Sequence, residues 1–127
     1  MQVVIHYGLH LLFPVVIAYV FFRSEWVKVY LIFLATMLVD LDHLLASPVF
    51  AADRCSIHYH LLHTYYAIAV YILLLFLRKP FRIIGIGLLL HMFTDLLDCV
   101  MTYMSCQPCL DDAPARGLIE WIVGLWQ

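Results

Sequence analysis

Residues 83–104 read IIGIGLLLHMFTDLLDCVMTYM, an apolar run that nevertheless contains His91, Asp95 and Asp98. At a rise of about 1.5 Å per residue, a helix of this length crosses a hydrocarbon core about 30 Å thick. The three polar residues follow i, i+4, i+7 spacing and therefore share one helical face. The run predicts a membrane helix with a polar stripe on an otherwise apolar surface.

The composition extends this prediction to the whole chain. Of its 127 residues, 65% are hydrophobic and 13% are charged, and the mean hydropathy is +0.96. These values lie far from those of soluble domains. Residues 3–22, 26–46 and 60–77 form three further apolar runs of similar length. We therefore expect an all-α, integral membrane four-helix bundle that forms a single domain over residues 1–127.

The ends of the chain and its connections fit the same architecture. Short polar connections force neighbouring helices to run antiparallel. The first run lacks a preceding basic stretch and a small-residue cleavage site, so we interpret it as a membrane helix and not as a signal peptide. Residues 117–126 are too few to span, and Trp121 and Trp126 favour the headgroup boundary, which predicts a short interfacial helix.

The basic residues predict the orientation. Most lie in or beside the first and third connections: Arg23, Lys28, Arg78, Lys79 and Arg82. The opposite side offers only Arg54 and Arg116. The positive-inside rule then places both termini outside the membrane. With a net charge of −2 and no basic patch, we expect no nucleic-acid partner.

Ionisable side chains recur on the other helices at helical spacing. Pairs three or four residues apart are His6 and His10, Asp40 and His43, and His60 and His63. Each pair occupies one helical face, and the topology places all of them in the same layer as the polar stripe of residues 83–104. Because lipid-facing histidine and aspartate are costly, we expect these faces to point into the bundle.

The aspartates favour a bound cation within this layer. Each would cost about 2.5–3.5 kcal/mol at a helix centre, and no lysine or arginine lies in the central part of any span. A divalent metal would neutralise the carboxylates and bind neutral imidazoles. Imidazole and carboxylate donors suit zinc, manganese, iron or nickel, and their number is sufficient for a dinuclear site. The alternative is a structural or proton-conducting network of protonated or histidine-bonded carboxyl groups.

Four motifs follow one another along the chain: the sequence LHLLF at residues 9–13, Asp40-Leu41-Asp42-His43, H-x4-H at His58 and His63, and H-x3-D at His91 and Asp95. In this order they resemble the bacterial inner-membrane, metal-dependent hydrolases of the YdjM-like type. The resemblance implies the following metal or active-site residues: His10, Asp40, Asp42, His43, His58, His63, His91 and Asp95.

Some residues depart from that family pattern. His6, His60 and Asp98 have no family counterpart. Val39 stands where the family usually has proline, and Tyr59 stands where it has an arginine suited to an anionic substrate. Arg54, a few residues upstream, is the alternative source of that positive charge.

The leading functional hypothesis is hydrolysis of an ester or phosphoester of a membrane lipid or lipid-like amphiphile by metal-activated water. Asp42 and Asp98 are the candidate catalytic residues, with a non-ligating aspartate acting as base. The chain would reside in the bacterial inner membrane. Two alternatives stay open: a divalent-metal or proton transport protein, and a haem-binding bundle. The sequence does not predict the substrate or the oligomeric state.

The four cysteines allow several disulfides on an oxidising outer side. Cys55 lies in the second connection, and Cys106 and Cys109 follow the fourth run, so a bond from Cys55 to either of them would join two outer segments. The C-x2-C pair can instead close on itself or offer thiolates. Cys99 lies within the fourth run.

Overall fold

The computed structural model describes residues 2–49, 51 and 54–126, and the described residues form helices and no strand. Five α-helices follow one another: α1 Gln2–Phe21, α2 Trp26–Thr36, α3 Tyr65–Leu74, α4 Phe81–Ser105 and α5 Arg116–Gly124. Three 3₁₀ segments connect them: Met37–Leu45, Leu61–His63 and Gln107–Leu110. The all-helical prediction is confirmed for the described residues.

Among the described residues, two helices are long and apolar enough to cross a membrane. They are Val4–Phe21, within α1, and Phe81–Ser105, which is α4. The expectation from the sequence is thus confirmed only in a coarser form, as an all-helical fold with two helices of spanning length, and the four-helix membrane bundle is not confirmed.

The second apolar run changes its helical form before it reaches its polar residues. It is α-helical only as far as Thr36, whose hydroxyl donates to the carbonyl of Phe33 at 2.6 Å, and it continues as the 3₁₀ segment Met37–Leu45. A 3₁₀ helix has three residues per turn, so side chains at i and i+3 point the same way. Asp40 and His43 therefore share one side of the segment.

The third apolar run begins its α-helix later than residue 60. Thr64 is the N-cap of α3, and its hydroxyl accepts a hydrogen bond from the backbone N–H of Ala67 at 3.3 Å. A threonine cap with an extended backbone ends the preceding turn and starts the helix after it. The segment from His58 to His63 consequently lies in a turn and a short 3₁₀ segment before α3.

Helix α4 packs against each of the first three helices and so determines where their polar faces meet. Two of its glycines allow this close approach. A Cβ added at Gly85 would lie 2.9 Å from the backbone carbonyl oxygen of Tyr71 and 2.8 Å from Leu74 Cβ in α3. A Cβ added at Gly87 would lie 2.8 Å from the Thr36 hydroxyl in α2.

We expect Gly85→Ala to lower the thermal unfolding midpoint of the detergent-solubilised protein. The added methyl would overlap fixed backbone atoms of α3, and overpacking of this kind costs about 1–3 kcal/mol. Gly8→Ala is the matched control, because a Cβ at Gly8 would meet nothing within 4 Å and alanine favours a helix by about 1 kcal/mol over glycine. Equal effects of the two changes on the midpoint, followed by circular dichroism, would contradict the α3–α4 packing.

Candidate metal centre

Four segments direct histidine or aspartate side chains into one interior region. Helix α1 supplies His10, the 3₁₀ segment Met37–Leu45 supplies Asp40, and the turn before α3 supplies His63. Helix α4 supplies His91 and Asp95, which are one turn apart on its buried face. The lateral convergence expected from the spacing of these residues is present in the structure.

The largest of three groups of donor atoms, which we call the buried centre, consists of Asp40, His63, His91 and Asp95. The Nε2 atoms of His63 and His91 lie 3.3 Å apart. Asp95 Oδ2 lies 3.0 Å from His63 Nε2 and 3.4 Å from His91 Nε2. Asp40 Oδ1 lies 3.5 Å from His63 Nε2 and 3.1 Å from His91 Nε2. Asp40 is the only one of the four that is partly exposed.

These separations correspond to the edges of a tetrahedral zinc site. Zinc–nitrogen and zinc–oxygen bonds of about 2.0–2.1 Å place neighbouring donors of a regular tetrahedron about 3.3–3.4 Å apart. Five of the six donor–donor separations run from 3.0 to 3.5 Å, and all four donor atoms lie within 4.8 Å of one another. Two imidazoles and two carboxylates are also a donor set that zinc, manganese, iron or nickel accepts. The buried centre could therefore hold one divalent ion.

Contacts on the far side of each imidazole fix the rings of this centre. His63 Nδ1 lies 3.1 Å from Asp42 Oδ2, and this oxygen also accepts from the backbone N–H of Leu62 at 2.7 Å. His91 Nδ1 lies 3.3 Å from Met37 Sδ. Metal-binding histidines commonly hold the second nitrogen in this way, which turns the first toward the ion. Asp42 thus orients His63 and is not among the four donors of the buried centre.

A second group, the α1 cluster, consists of His6, His10 and Asp95. Asp95 Oδ1 lies 3.2 Å from His10 Nε2, while Oδ2 of the same carboxylate faces the buried centre. One carboxylate thus contacts both groups, as bridging ligands do in two-metal sites. His10 Nδ1 lies 3.0 Å from the backbone carbonyl oxygen of His6, and His6 Nδ1 lies 3.7 Å from Asp98 Oδ1. Asp98 is therefore at the edge of the α1 cluster.

A third group, the loop cluster, consists of Asp42, His43 and His60. The imidazole rings of His43 and His60 are stacked with centroids 3.8 Å apart. Asp42 and His60 are each 5% exposed. This group shares no donor residue with the buried centre, but Asp42 contacts both, since its Oδ2 holds His63.

Three described histidines outside the helices of spanning length have displaced pKa values, and burial lowers the pKa of His43. Burial, together with the neighbouring His43 imidazole, lowers the pKa of His60 to about 4. His60 is therefore neutral at pH 7, which is the form that binds metals. Burial acts to lower the pKa of His63 as well, but contacts with three carboxylates outweigh it and raise the pKa to about 10. These carboxylates draw a cation to His63, and a metal would compete with the proton there.

The structure does not bring His58 to the other predicted ligands. Its ring stacks on Tyr65 with centroids 4.2 Å apart, and its backbone has a φ of 61°, in the left-handed region. His6 and His60, which lack counterparts in the hydrolase pattern, do lie within donor groups. The signal for both was present in the sequence, since His6 is four residues from His10 and His60 is three from His63.

All four cysteines are described by the structure, and they form two disulfides. Cys55 bonds to Cys99 in α4, and Cys106 bonds to Cys109. The C-x2-C pair thus closes on itself, and Cys55 does not pair with either of its members. The bond from Cys55 to Cys99 holds the turn that carries His60 and His63 against α4, one helical turn beyond Asp95.

These features define an all-helical protein whose buried histidines and aspartates could hold a metal. A family model described as a family of unknown function (DUF6122) matches residues 1–102, and the chain belongs to that family. The matched residues include all three donor groups. The description of the family names no activity and does not mention the YdjM-like hydrolases. No curated protein and no solved structure matches the chain.

We expect Asp40→Ala and His91→Ala each to weaken the tightest zinc binding of the detergent-purified protein by more than about a hundredfold. Loss of an outer partner of a ligand already costs about 10- to 100-fold in metal affinity, and these two residues would contact the ion directly. Competition with a chromophoric zinc chelator measures the change. His58→Ala is the control, because His58 lies outside the three groups.

Circular dichroism verifies that each variant retains its helices. Unchanged zinc affinity in either Asp40→Ala or His91→Ala would show that the 3₁₀ segment Met37–Leu45 and α4 do not share one metal site.

Proposed function

We propose that the protein is a membrane-embedded, metal-dependent hydrolase that acts on an ester or phosphoester of a lipid or another amphiphile. The observation that carries this proposal is the convergence of Asp40, His63, His91 and Asp95 at tetrahedral spacing. The resemblance of the motif order to the YdjM-like hydrolases supports hydrolysis as the reaction.

Exposed apolar side chains support a membrane location. Leu12 and Val20 on α1 and Leu73 on α3 are 68%, 61% and 64% exposed. Large apolar surfaces of this kind mark contact with lipid or with another protein. In the proposed arrangement, α1 and α4 cross the bacterial inner membrane, and the apolar runs that contain α2 and α3 complete the four-span bundle. Both termini lie outside, by the distribution of basic residues.

The four residues of the buried centre would hold the metal. Zinc or a similar divalent ion would supply Lewis acidity there and would activate a water molecule for attack. Asp42 keeps the Nε2 atom of His63 turned toward the ion through its contact with Nδ1. Asp40 is the donor nearest to solvent, so substrate approaches from its side. Through its second oxygen, Asp95 also allows a second ion at the α1 cluster.

Two aspartates outside the four donors can take part in proton transfer. Asp98 is at the edge of the α1 cluster with its side chain 28% exposed, 3.7 Å from His6 Nδ1. We assign it as the base that receives the proton of the attacking water. Asp42 is committed to His63 and the backbone of Leu62, so we assign it as a positioning residue of the same reaction.

An apolar groove supports a lipid-like substrate. Side chains of α2, α3, α4 and both neighbouring 3₁₀ segments line a volume of about 500 Å³, and among them are Val39, Leu62, Tyr71 and Leu88. Leu62 and Val39, which line the groove, directly precede His63 and Asp40 in the chain. In this arrangement an acyl chain would occupy the groove, and its ester would lie on the side of the four donors.

We expect the detergent-purified protein to hydrolyse at least one member of a panel of phospholipids and generic esters, and to lose this activity on treatment with a chelator. Asp98→Asn should lower kcat by about 100-fold or more, in the range of general-base catalysis, without loss of zinc. Asp112→Asn makes the same change at an exposed position and should leave kcat unchanged. Full activity after metal removal would refute the proposal.

Divalent-metal transport is the second candidate, because Asp95 contacts both the buried centre and the α1 cluster and so offers an ion two adjacent positions. Proteoliposomes loaded with a zinc-sensitive dye distinguish the two functions. Zinc entry that needs Asp95, with no hydrolysis of any panel member, would favour transport over hydrolysis.

A further inference from the structure

Two polar atoms of the loop cluster are buried without a hydrogen-bond partner among the described residues. They are Asp42 Oδ1 and His43 Nε2. Asp42 Oδ2 is occupied by Leu62 and His63, which leaves Oδ1 as the unused oxygen of a side chain that is 5% exposed. His43 Nε2 approaches Asp40 Oδ1 to 3.5 Å, but not in hydrogen-bonding geometry. A buried polar atom without a partner destabilises the folded protein, and more so when it is charged.

His60 completes a set of donors around these atoms. Each residue of the loop cluster offers one ligand atom, and the three atoms lie within 4.8 Å of one another. His60 is 5% exposed, and its stacking on His43 places the two imidazoles side by side. Two histidines and one carboxylate are the protein ligands of zinc sites that keep a fourth position for water or substrate.

A cavity lies next to this set. It has a volume of about 350 Å³, and Asp42, Tyr59 and His60 are among the residues that line it. The buried centre differs in this respect, because it offers four protein donors, so an exchangeable ligand there would be the fifth around an ion. An ion in the loop cluster would instead have three protein donors and a neighbouring space large enough for an exchangeable ligand.

We propose that Asp42, His43 and His60 form a second divalent-metal site, separate from the buried centre, with one coordination position open to this cavity. The ion satisfies the two unpartnered buried atoms at once. Asp42 then contacts both sites, with Oδ1 on the second ion and Oδ2 on His63. The proposal needs no assumption about the reaction that the buried centre supports.

Zinc stoichiometry of the full chain in detergent tests this site. We expect His60→Ala to bind one zinc ion fewer than the native protein while it keeps the tightest site. His91→Ala should show the reverse, with the tightest site lost and the loop cluster retained. His58→Ala is the matched control, since it removes a nearby imidazole that belongs to neither site, and it should bind as many ions as the native protein.

Cobalt(II) provides a readout that simple loss of packing would not change. Azide should shift the visible absorption of cobalt bound to the native protein by entering the open position, and this shift should be absent in His60→Ala. His43→Ala removes another donor of the loop cluster and leaves the contact between Asp42 and His63 in place, so it should also lose one zinc ion. If His60→Ala loses its helices, His43→Ala provides the test instead.

The same zinc count in His60→Ala, or in His43→Ala, as in the native protein would overturn the proposal. A native protein that binds a single zinc ion, lost in His91→Ala, would also overturn it while leaving the metal of the buried centre in place.

Discussion

The carboxylates of Asp40 and Asp95 meet two buried imidazoles, and in the described part of the chain their ion-pair partners are all histidines. Removal of a carboxylate from water costs several kcal/mol unless a cation and hydrogen bonds compensate. Protons on the histidines offer partial compensation, whereas a divalent ion satisfies both carboxylates and both Nε2 atoms together. The need to compensate these two carboxylates is the constraint on which the surrounding arrangement depends.

The architecture keeps the donors within reach of one ion. Helix α4 carries two of them, and Gly85 and Gly87 let α3 and α2 approach it closely. The change from α2 to a 3₁₀ segment sends Asp40 toward the buried centre and Asp42 toward His63, although the two are only two residues apart. The bond between Cys55 and Cys99 attaches the histidine-bearing turn to α4. Backbone geometry and a covalent link thus replace the support that a larger domain would give.

Much of this arrangement could be predicted from the sequence, because helical spacing is a local property. The pairing of His91 with Asp95 on one face, and the inward direction of that face, follow from an i, i+4 pattern in an apolar run. The form of Met37–Leu45 could not be predicted in this way, because apolar periodicity does not distinguish an α-helix from its 3₁₀ continuation. The separation of His58 from His60 and His63 depends on the path of a turn, and the partner of Cys55 depends on tertiary contacts.

X-ray absorption at the zinc K-edge tests whether Asp40, His63, His91 and Asp95 hold one divalent ion. The protein is purified in detergent without a chelator and supplied with one equivalent of zinc. We expect nitrogen and oxygen donors at about 2.0–2.1 Å from the zinc, with more distant scattering from two imidazoles. Zinc that remains in solution, or a bound ion with a shell of water and no imidazole scattering, would contradict it.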